Sequence, residues 1–359
     1  MSDMEISGRA IGGRHPPLVI AEIGINHEGE FGKAVRMIDD AAAAGCECVK
    51  FQCHVVEDEM IRNDVVPGNT TERIWNIVSR AALTEDEDRR LKAHVESRGM
   101  TYLSTPFSRA AADRLHRLDV CAYKIGSGEC NNYPLVRHIA AFGRPIILST
   151  GMNDIESIRP AVELLRAAGV PFALLHCTSI YPTPYEQVRL GALRELADRF
   201  PGAAIGLSDH SMGNYTCFAA VALGACLLEK HFTSDLSWPG PDVPISIDPA
   251  GLRDLITGAR AVHAARGGVK EILPAERPTI DFAYACVVSL RDVAAGHRLT
   301  AEDIWVKRPG TGEIKAVDFD RVLGRVARRP IAKDTQLKWS DLCENESSSS
   351  PARALTTAN

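Results

Sequence analysis

The chain has 359 residues, of which 45% are hydrophobic and 24% charged, and its formal net charge is -5. This is the length of one large domain plus a small one, with the composition of an ordinary globular protein. The charge gives no electrostatic reason for nucleic acid or an anionic membrane as a partner, and no apolar run approaches the roughly 20 residues of a membrane span. No signal peptide pattern and no disulfide spacing are present, so we expect a cytoplasmic protein with reduced cysteines.

Short apolar runs alternate with amphipathic helical stretches along most of the chain. The strand-like runs are 18–26, 48–52, 101–107, 122–128, 145–152, 172–179, 204–210 and 227–233. Eight strand–helix units over about 250 residues predict a TIM (β/α)8 barrel in residues 1–266. A doubly wound sheet is the competing architecture, but it usually carries a glycine-rich nucleotide loop, which the sequence lacks.

The alternation ends after residue 266. Residues 267–283 contain two prolines and no clear period, which is typical of a linker. Residues 284–342 contain short β-like runs separated by turns and predict a small, mostly β domain, and the polar residues 343–359 predict a disordered tail. The connection after the second strand, residues 54–83, is long for a compact barrel, which indicates a functional loop.

Polar side chains end all of the predicted strands, at the face of a TIM barrel where active sites lie. A single serine or threonine there is usually a helix cap, but a full ring of polar ends indicates an active site. Two lysines and several hydroxyl groups suit a small phosphorylated anion. These residues are Lys50, Thr105, Lys124, Ser127, Ser149 and Ser208.

His210 and His231 end neighbouring predicted strands, so their imidazoles could reach one metal ion. Two imidazoles leave open positions for water and substrate, which is consistent with Mn²⁺ or a similar divalent ion. The alternative is that each histidine is a hydrogen-bonded wall residue.

A set of short motifs, in order, resembles the sialic acid synthase family. They are "AEIGINHEG", "VKFQ", "STPF", "YKIGSGE", "ILSTGM", "YPTPYE", "GLSDHS", "EKHFT" and "GPD", and "IWVKRPGTGE" resembles the antifreeze-like (SAF) module of that family. The likeness is greatest to the bacterial N-acetylneuraminate synthases. It implies condensation of phosphoenolpyruvate with open-chain N-acetylmannosamine and water, with a divalent metal (Mn²⁺, or alternatively Mg²⁺ or Co²⁺), in a domain-swapped homodimer.

The resemblance also assigns roles to residues. It places phosphoenolpyruvate on Lys50, Thr105, Lys124, Ser127, Ser149, Ser179 and Ser208. It places the sugar on Gln52, Asn69, Glu129, Tyr181, Asp242, Phe282 and Arg308, the last two where linker and small domain close over it. The metal ligands are His210 and His231, and the catalytic residues are Glu22, Glu229 and Lys124.

Ser179 departs from the family, in which many neuraminate synthases have asparagine in this place. The missing amide weakens the substrate assignment, and legionaminate and pseudaminate synthases are the nearest alternatives. A deoxyheptulosonate-phosphate synthase shares the barrel class, but the "KRPG" module argues against it. A non-catalytic sugar-binding or scaffold protein would have no reason to keep both histidines, both lysines and both acids.

Overall fold

The computed structural model describes residues 3–344, which divide into two compact units after Gly267. The strands of the first unit are β1 (Met4–Ile6), β2 (Arg9–Ile11), β3 (Leu18–Gly24), β4 (Cys48–Cys53), β5 (Thr101–Pro106), β6 (Tyr123–Ile125), β7 (Ile146–Ser149), β8 (Phe172–Cys177), β9 (Ala204–Asp209) and β10 (Leu227–His231). Eight of them, β3 to β10, form one parallel sheet in the order β5-β4-β3-β10-β9-β8-β7-β6. The two ends of this order, β5 and β6, lie side by side, so the sheet is a nearly closed barrel and the predicted TIM fold is confirmed.

Helices connect the strands and cover the outside of the barrel. They are α1 (Phe31–Ala43), α2 (Val56–Glu59), α3 (Ile74–Ala81), α4 (Glu85–Ser97), α5 (Arg109–Arg117), α6 (Tyr133–Ala140), α7 (Ile155–Ala167), α8 (Tyr185–Val188), α9 (Gly191–Arg199), α10 (Tyr215–Ala222) and α11 (Pro249–Ala265). Local sequence defines several starts: Thr84 and Glu87 form a reciprocal capping box before α4, and the side chain of Asp154 caps α7. The apolar faces of these helices pack on strands that are buried on both faces, as the continuous apolar runs predict.

An N-terminal hairpin, β1 and β2, lies outside the barrel sheet and was not predicted from the sequence. Ser7 and Gly8 have φ angles of 52° and 77°, which is the two-residue turn that suits the twist of paired strands. Met4, Ile6 and Ile11 pack in a cluster with the apolar residues that begin the barrel strands. The hairpin therefore closes the N-terminal end of the barrel, and the opposite end remains for a site.

The second unit is described by itself. Its strands are β11 (Cys286–Ser289) and β12 (Ile304–Lys307), which pair antiparallel, and its helices are α12 (Arg277–Ala283) and α13 (Phe319–Val322). The segment predicted as a linker contains the helix α12. Pro278 does not prevent this helix, because it lies in the first turn, where the missing backbone N–H would have no partner in the helix. Beyond residue 344, the predicted tail lies outside the described residues. None of the described helices is long and apolar enough to cross a membrane.

Candidate active site

The ends of the barrel strands surround a polar cavity of about 280 Å³. Every residue predicted to bind phosphoenolpyruvate lines it: Lys50, Thr105, Lys124, Ser127, Ser149, Ser179 and Ser208. It is also lined by Glu22, Gln52, Tyr181, His210, Glu229 and His231. These side chains come from strands far apart in the chain and meet because parallel barrel strands all end at one face.

Two lysines and two glutamates form a compensated cluster at the base of this cavity. Lys50 Nζ lies 2.6 Å from Glu22 Oε2 and 3.8 Å from Glu229 Oε2, and Lys124 Nζ lies 3.7 Å from Glu229 Oε1. All four side chains are buried. Lys50 also donates to the Thr105 hydroxyl at 2.9 Å, so its ammonium is held by the acid of one strand and the hydroxyl of another.

The two glutamates differ in pKa because their neighbours differ. Burial, together with the charge of Glu229, raises the pKa of Glu22 to about 7 against the opposing effect of Lys50. Burial also acts on Glu229, but Lys124 and Lys50 outweigh it and lower the pKa of that carboxyl. Carboxyl groups whose pKa values are pushed apart can serve as an acid and a base in one site.

Hydroxyl and ammonium donors also line this cavity. Lys124 Nζ donates to Ser149 Oγ at 2.6 Å, and the Ser127 hydroxyl accepts from the backbone N–H of Gly151 at 3.0 Å. A Cβ on Gly151 would lie 2.5 Å from Ser179 Oγ and 2.8 Å from Ser127 Oγ, so only glycine leaves this space open. The donor set suits a carboxylate or a phosphate group.

His210 and His231 lie close together at the ends of β9 and β10, with ring centroids 5.4 Å apart. His210 Nδ1 donates to the carbonyl of Thr178 at 2.9 Å, so Nε2 is the ring nitrogen that remains to face a cation. His231 Nδ1 is buried without a hydrogen-bond partner, and Asp242 Oδ2 is 3.8 Å from it. Such an orphaned nitrogen beside a second imidazole fits a divalent cation that takes two protein ligands and keeps its other positions open.

The two imidazoles differ in pKa. Burial, and then the positive charges of His210 and Lys50, lower the pKa of His231 well below its ordinary value. Burial also lowers the pKa of His210, but the Cys177 sulfur and the Thr178 carbonyl raise it to about 9. Within residues 3–344, no group of three or more His, Cys, Asp or Glu side chains is arranged to hold a metal, so a cation here would depend on the histidine pair.

A buried ion pair lies behind the histidines. Lys230 Nζ contacts Asp209 Oδ2 at 2.7 Å, and both side chains are almost fully buried. Asp209 Oδ2 also accepts from Ser211 Oγ at 3.0 Å and Thr216 Oγ1 at 2.7 Å. Because side chains alternate along a strand, this pair lies on the opposite face of β9 and β10 from the histidines. The ion pair links the two strands at the residues that directly precede the histidines.

A second, larger cavity of about 610 Å³ adjoins the polar one. Gln52, Phe107, Ser179 and Tyr181 line both cavities and form their boundary. Much of its wall is apolar: Ile25, Met60, Pro67, Ile74, Ile77 and Val78. Its wall includes residues of the long connection after β4, for which the sequence predicts a functional role.

Four of the seven residues predicted to contact the sugar line the larger cavity: Gln52 and Tyr181 at the boundary, and Asn69 and Asp242. Asn69 and Asp242 line its wall, and Asn69 Nδ2 donates to the Pro241 carbonyl at 3.2 Å. Burial raises the pKa of Asp242 to about 6. Among the described residues that line this cavity, none is a lysine or an arginine.

The remaining predicted sugar residues do not line either cavity. Glu129 lies beside Gly126, its Oε2 is buried without a hydrogen-bond partner, and burial, followed by Glu59, raises its pKa to about 7. Phe282 and Arg308 lie in the second unit, where the guanidinium stands 5.6 Å over the phenyl ring. Phe282 and Arg308 therefore lie next to each other in the second unit.

Sequence reasoning missed His54 and Glu59, which line the larger cavity. A signal for the histidine was present. Lys50 and Gln52 lie on β4 and His54 follows it directly, so continued side-chain alternation predicts all three on one face. Glu59 has no comparable signal, because α2 must fold back on β4 to bring it near.

Comparison with known proteins gives consistent matches. The model of the NeuB family matches residues 37–271, and that of the SAF domain matches residues 284–342. The N,N'-diacetyllegionaminic acid synthase of Campylobacter jejuni is 34% identical over 89% of this chain and 98% of its own length. The human N-acetylneuraminate-9-phosphate synthase is 33% identical over 90% of this chain and 91% of its own. A crystal structure of N-acetylneuraminic acid synthetase from Leptospira borgpetersenii superposes with a TM-score of 0.72 at 32% identity, covering 78% of this chain and 95% of that one.

Proposed function

The chain belongs to the NeuB family, and from that premise we propose that it condenses phosphoenolpyruvate with N-acetylmannosamine and water to give N-acetylneuraminate and phosphate. One observation carries the proposal. The polar cavity with Lys50 and Lys124 suits a small phosphorylated anion, and it shares a boundary with a larger cavity that has room for a sugar. Two substrates bound in these cavities meet at the boundary, where a carbon–carbon bond could form.

The residues of the polar cavity hold the enol substrate and move protons. Lys50, Lys124 and the surrounding hydroxyls bind the phosphate and carboxylate, with C3 of the enol directed at the sugar aldehyde. C3 attacks the aldehyde carbon, and C2 becomes an oxocarbenium centre that water then attacks. Glu229, whose pKa is lowered, takes one proton of that water. Phosphate then leaves with the electron pair of the C–O bond, while the C2 hydroxyl passes its remaining proton to the phosphate and becomes the ketone. In this proposal, the Glu22–Lys50 pair, in contact at 2.6 Å, delivers a proton to the aldehyde oxygen as it becomes a hydroxyl.

His210 and His231 would hold the divalent cation, Mn²⁺ in our proposal with Mg²⁺ or Co²⁺ as alternatives. When bound, such a cation supplies a Lewis acid for the aldehyde oxygen. Tyr181 stacks on the His210 ring with centroids 4.1 Å apart and so keeps that imidazole in position.

A neutral acceptor agrees with the charges of the larger cavity. The described lining of this cavity within one chain carries the carboxyl groups of Glu59 and Asp242 and no lysine or arginine, so the barrel itself offers a phosphate on the sugar two acids and no basic side chain. The apolar wall also favours a second candidate function, in which the acceptor is a diacetamido-trideoxyhexose and the product is legionaminate or pseudaminate. Such a sugar has a methyl group where N-acetylmannosamine has a hydroxymethyl group.

Apolar side chains exposed on each unit support a homodimer in which the SAF domain of one copy covers the barrel of the other. Met152, Met212 and Tyr215 follow barrel strands and are at least half exposed, and Phe282 is 68% exposed on the second unit. Large exposed apolar side chains of this kind are available to form an interface. In this proposal, Arg308 acts on the sugar bound by its partner.

Phosphate release from phosphoenolpyruvate tests the function directly. The acceptor panel contains N-acetylmannosamine, its phosphorylated form and the diacetamido-trideoxyhexoses. We expect N-acetylmannosamine to be the best acceptor and the phosphorylated sugar the poorest. A far better diacetamido acceptor would establish the second candidate, and no release with any sugar would overturn both.

A further inference from the structure

A buried histidine holds Gln52 at the boundary of the two cavities. His54 follows β4 directly, is 4% exposed, and stacks on Phe107 with ring centroids 4.7 Å apart. Its Nε2 lies 3.1 Å from Oε1 of Gln52, and its Nδ1 lies 2.7 Å from Oε2 of Glu59. Both ring nitrogens are thus engaged, and the ring cannot turn without losing both contacts.

The direction of each hydrogen bond follows from Glu22. Gln52 Nε2 lies 3.2 Å from Glu22 Oε1, and a carboxylate only accepts, so the amide donates there. The amide oxygen must then face His54, whose Nε2–H donates to it. A proton also lies in the contact between His54 Nδ1 and the Glu59 carboxylate. A donor at Nε2 of His54 is therefore what keeps the amide NH2 directed at Glu22.

We propose that His54, oriented by Glu59, is a positioning residue that fixes the Gln52 amide and so aligns the acceptor sugar beside Glu22. The inference rests on the proposed function, since Gln52 stands where the two substrates would meet. A rotated amide would direct its oxygen at the Glu22 carboxylate, and the repulsion would move one group out of place. His54 itself needs no contact with the reacting atoms.

A purely structural role would give similar losses in some assays, because the contact between His54 and Glu59 also anchors the start of the long connection. The choice of substitution separates the two roles. In His54→Gln, the amide reaches the position of Nε2 and still donates to Gln52. In His54→Asn, the shorter amide ends near the position of Nδ1, so it can face Glu59 but not Gln52. If His54→Asn loses activity although its side chain can still contact Glu59, the loss indicates that His54 positions Gln52.

Steady-state kinetics with the best acceptor of the panel provide the first test. His54→Asn should lower kcat/KM for the acceptor on the order of ten-fold or more, the scale of loss when a group that orients a functional side chain is removed. The KM for phosphoenolpyruvate should stay within about two-fold, and His54→Gln should recover most of the loss. His94→Asn is the matched control, because His94 Nε2 contacts Asp39 at 2.8 Å between outer helices, away from both cavities.

A double-mutant cycle tests whether His54 acts through Gln52. In a Gln52→Ala background, His54→Asn should cause no further loss. An equal loss in both backgrounds would overturn the proposal and leave only the anchoring role. Glu59→Gln is the second variant if His54→Asn fails to fold, and it should show the same dependence on Gln52.

An NMR measurement keeps the test independent of turnover. The glutamines of the chain are Gln52, Gln187 and Gln336, so labelled side-chain amides are readily assigned with Gln52→Ala. The Gln52 NH2 should exchange slowly with water in wild type and in His54→Gln, and rapidly in His54→Asn. Slow exchange in all three would overturn the positioning role. If wild type releases no phosphate with any acceptor, the proposed function is wrong, and this signal still decides whether His54 orients Gln52.

Discussion

The imidazole rings of His210 and His231 lie 5.4 Å apart, centroid to centroid, at the ends of adjacent parallel strands. Strand pairing sets this distance, because Asp209 and Lys230 are partners in the ladder and each histidine is the next residue. The relationship explains how two histidines that are distant in the chain can serve one cation.

Removing either imidazole should abolish metal-dependent turnover without unfolding the protein. His210→Ala and His231→Ala each remove a ligand at the barrel mouth and little core volume. We expect loss of Mn²⁺ binding, measured by electron paramagnetic resonance titration, with an unchanged circular dichroism spectrum. His138→Ala is the control, since that histidine pairs with Asp113 on outer helices. Full turnover of the single variants in chelated buffer would refute the metal assignment.

A methyl group at Gly151 should selectively weaken binding of phosphoenolpyruvate. Its Cβ would lie 2.5 Å from Ser179 Oγ, so the hydroxyl donors of the polar cavity must move. Gly151→Ala should raise the KM for phosphoenolpyruvate on the order of ten-fold, about 1.4 kcal/mol, and change that of the acceptor little. Gly191→Ala is matched, because a Cβ there meets nothing within 4 Å. The prediction is wrong if both KM values rise together.

The Asp209–Lys230 pair should matter more to stability than exposed pairs do. Asp209→Ala leaves a buried ammonium without its partner, which costs roughly 3–5 kcal/mol of unfolding free energy. Glu96→Ala, which breaks the surface pair with Lys92, should cost at most about 1 kcal/mol. Urea unfolding provides both values. Similar costs for the two variants would mean that water or another group compensates Lys230.

Glu129 should make the stability depend on pH. Its folded pKa is about 7, above the ordinary value of 4.5, so the folded state binds its proton more tightly than the unfolded state does. The stability from this group is complete below pH 4.5 and is lost as the pH rises through about 7. Glu129→Gln should therefore gain stability relative to wild type between pH 4.5 and pH 8, by about 3 kcal/mol as an upper limit. The raised pKa of Glu129 would be contradicted if the difference in unfolding free energy between Glu129→Gln and wild type did not change with pH across this range.

Arg308→Ala should raise the acceptor KM strongly and change that of phosphoenolpyruvate little, because a guanidinium makes directional contacts that suit an N-acetyl oxygen. Arg321→Ala is the matched control, since Arg321 also stands over an aromatic ring, that of Trp339 at 4.8 Å. The dimer proposal has its own measurement. Mixed under exchange conditions, Arg308→Ala and Lys124→Ala subunits should regain activity through one complete site. No recovery after confirmed exchange would mean that Arg308 serves its own barrel or none.

The sequence alone determined the barrel and the identity of most residues in the polar cavity. Alternating apolar and helical runs specify strand–helix units, and parallel barrel strands end at one face, so Lys50, Lys124 and Glu229 could be placed together without coordinates. The position of the two histidines on neighbouring strands followed in the same way.

Only the tertiary structure decided which of these groups touch. Lys50 pairs more closely with Glu22 than with Glu229, and the turn of α2 brings Glu59 to His54. Periodicity shows which face of an element a side chain lies on, but a contact depends on how loops fold back and how side chains fill the remaining space. The N-terminal hairpin that closes the barrel could also not be predicted from the sequence. Its few apolar residues are buried only because they pack against the open end of the barrel.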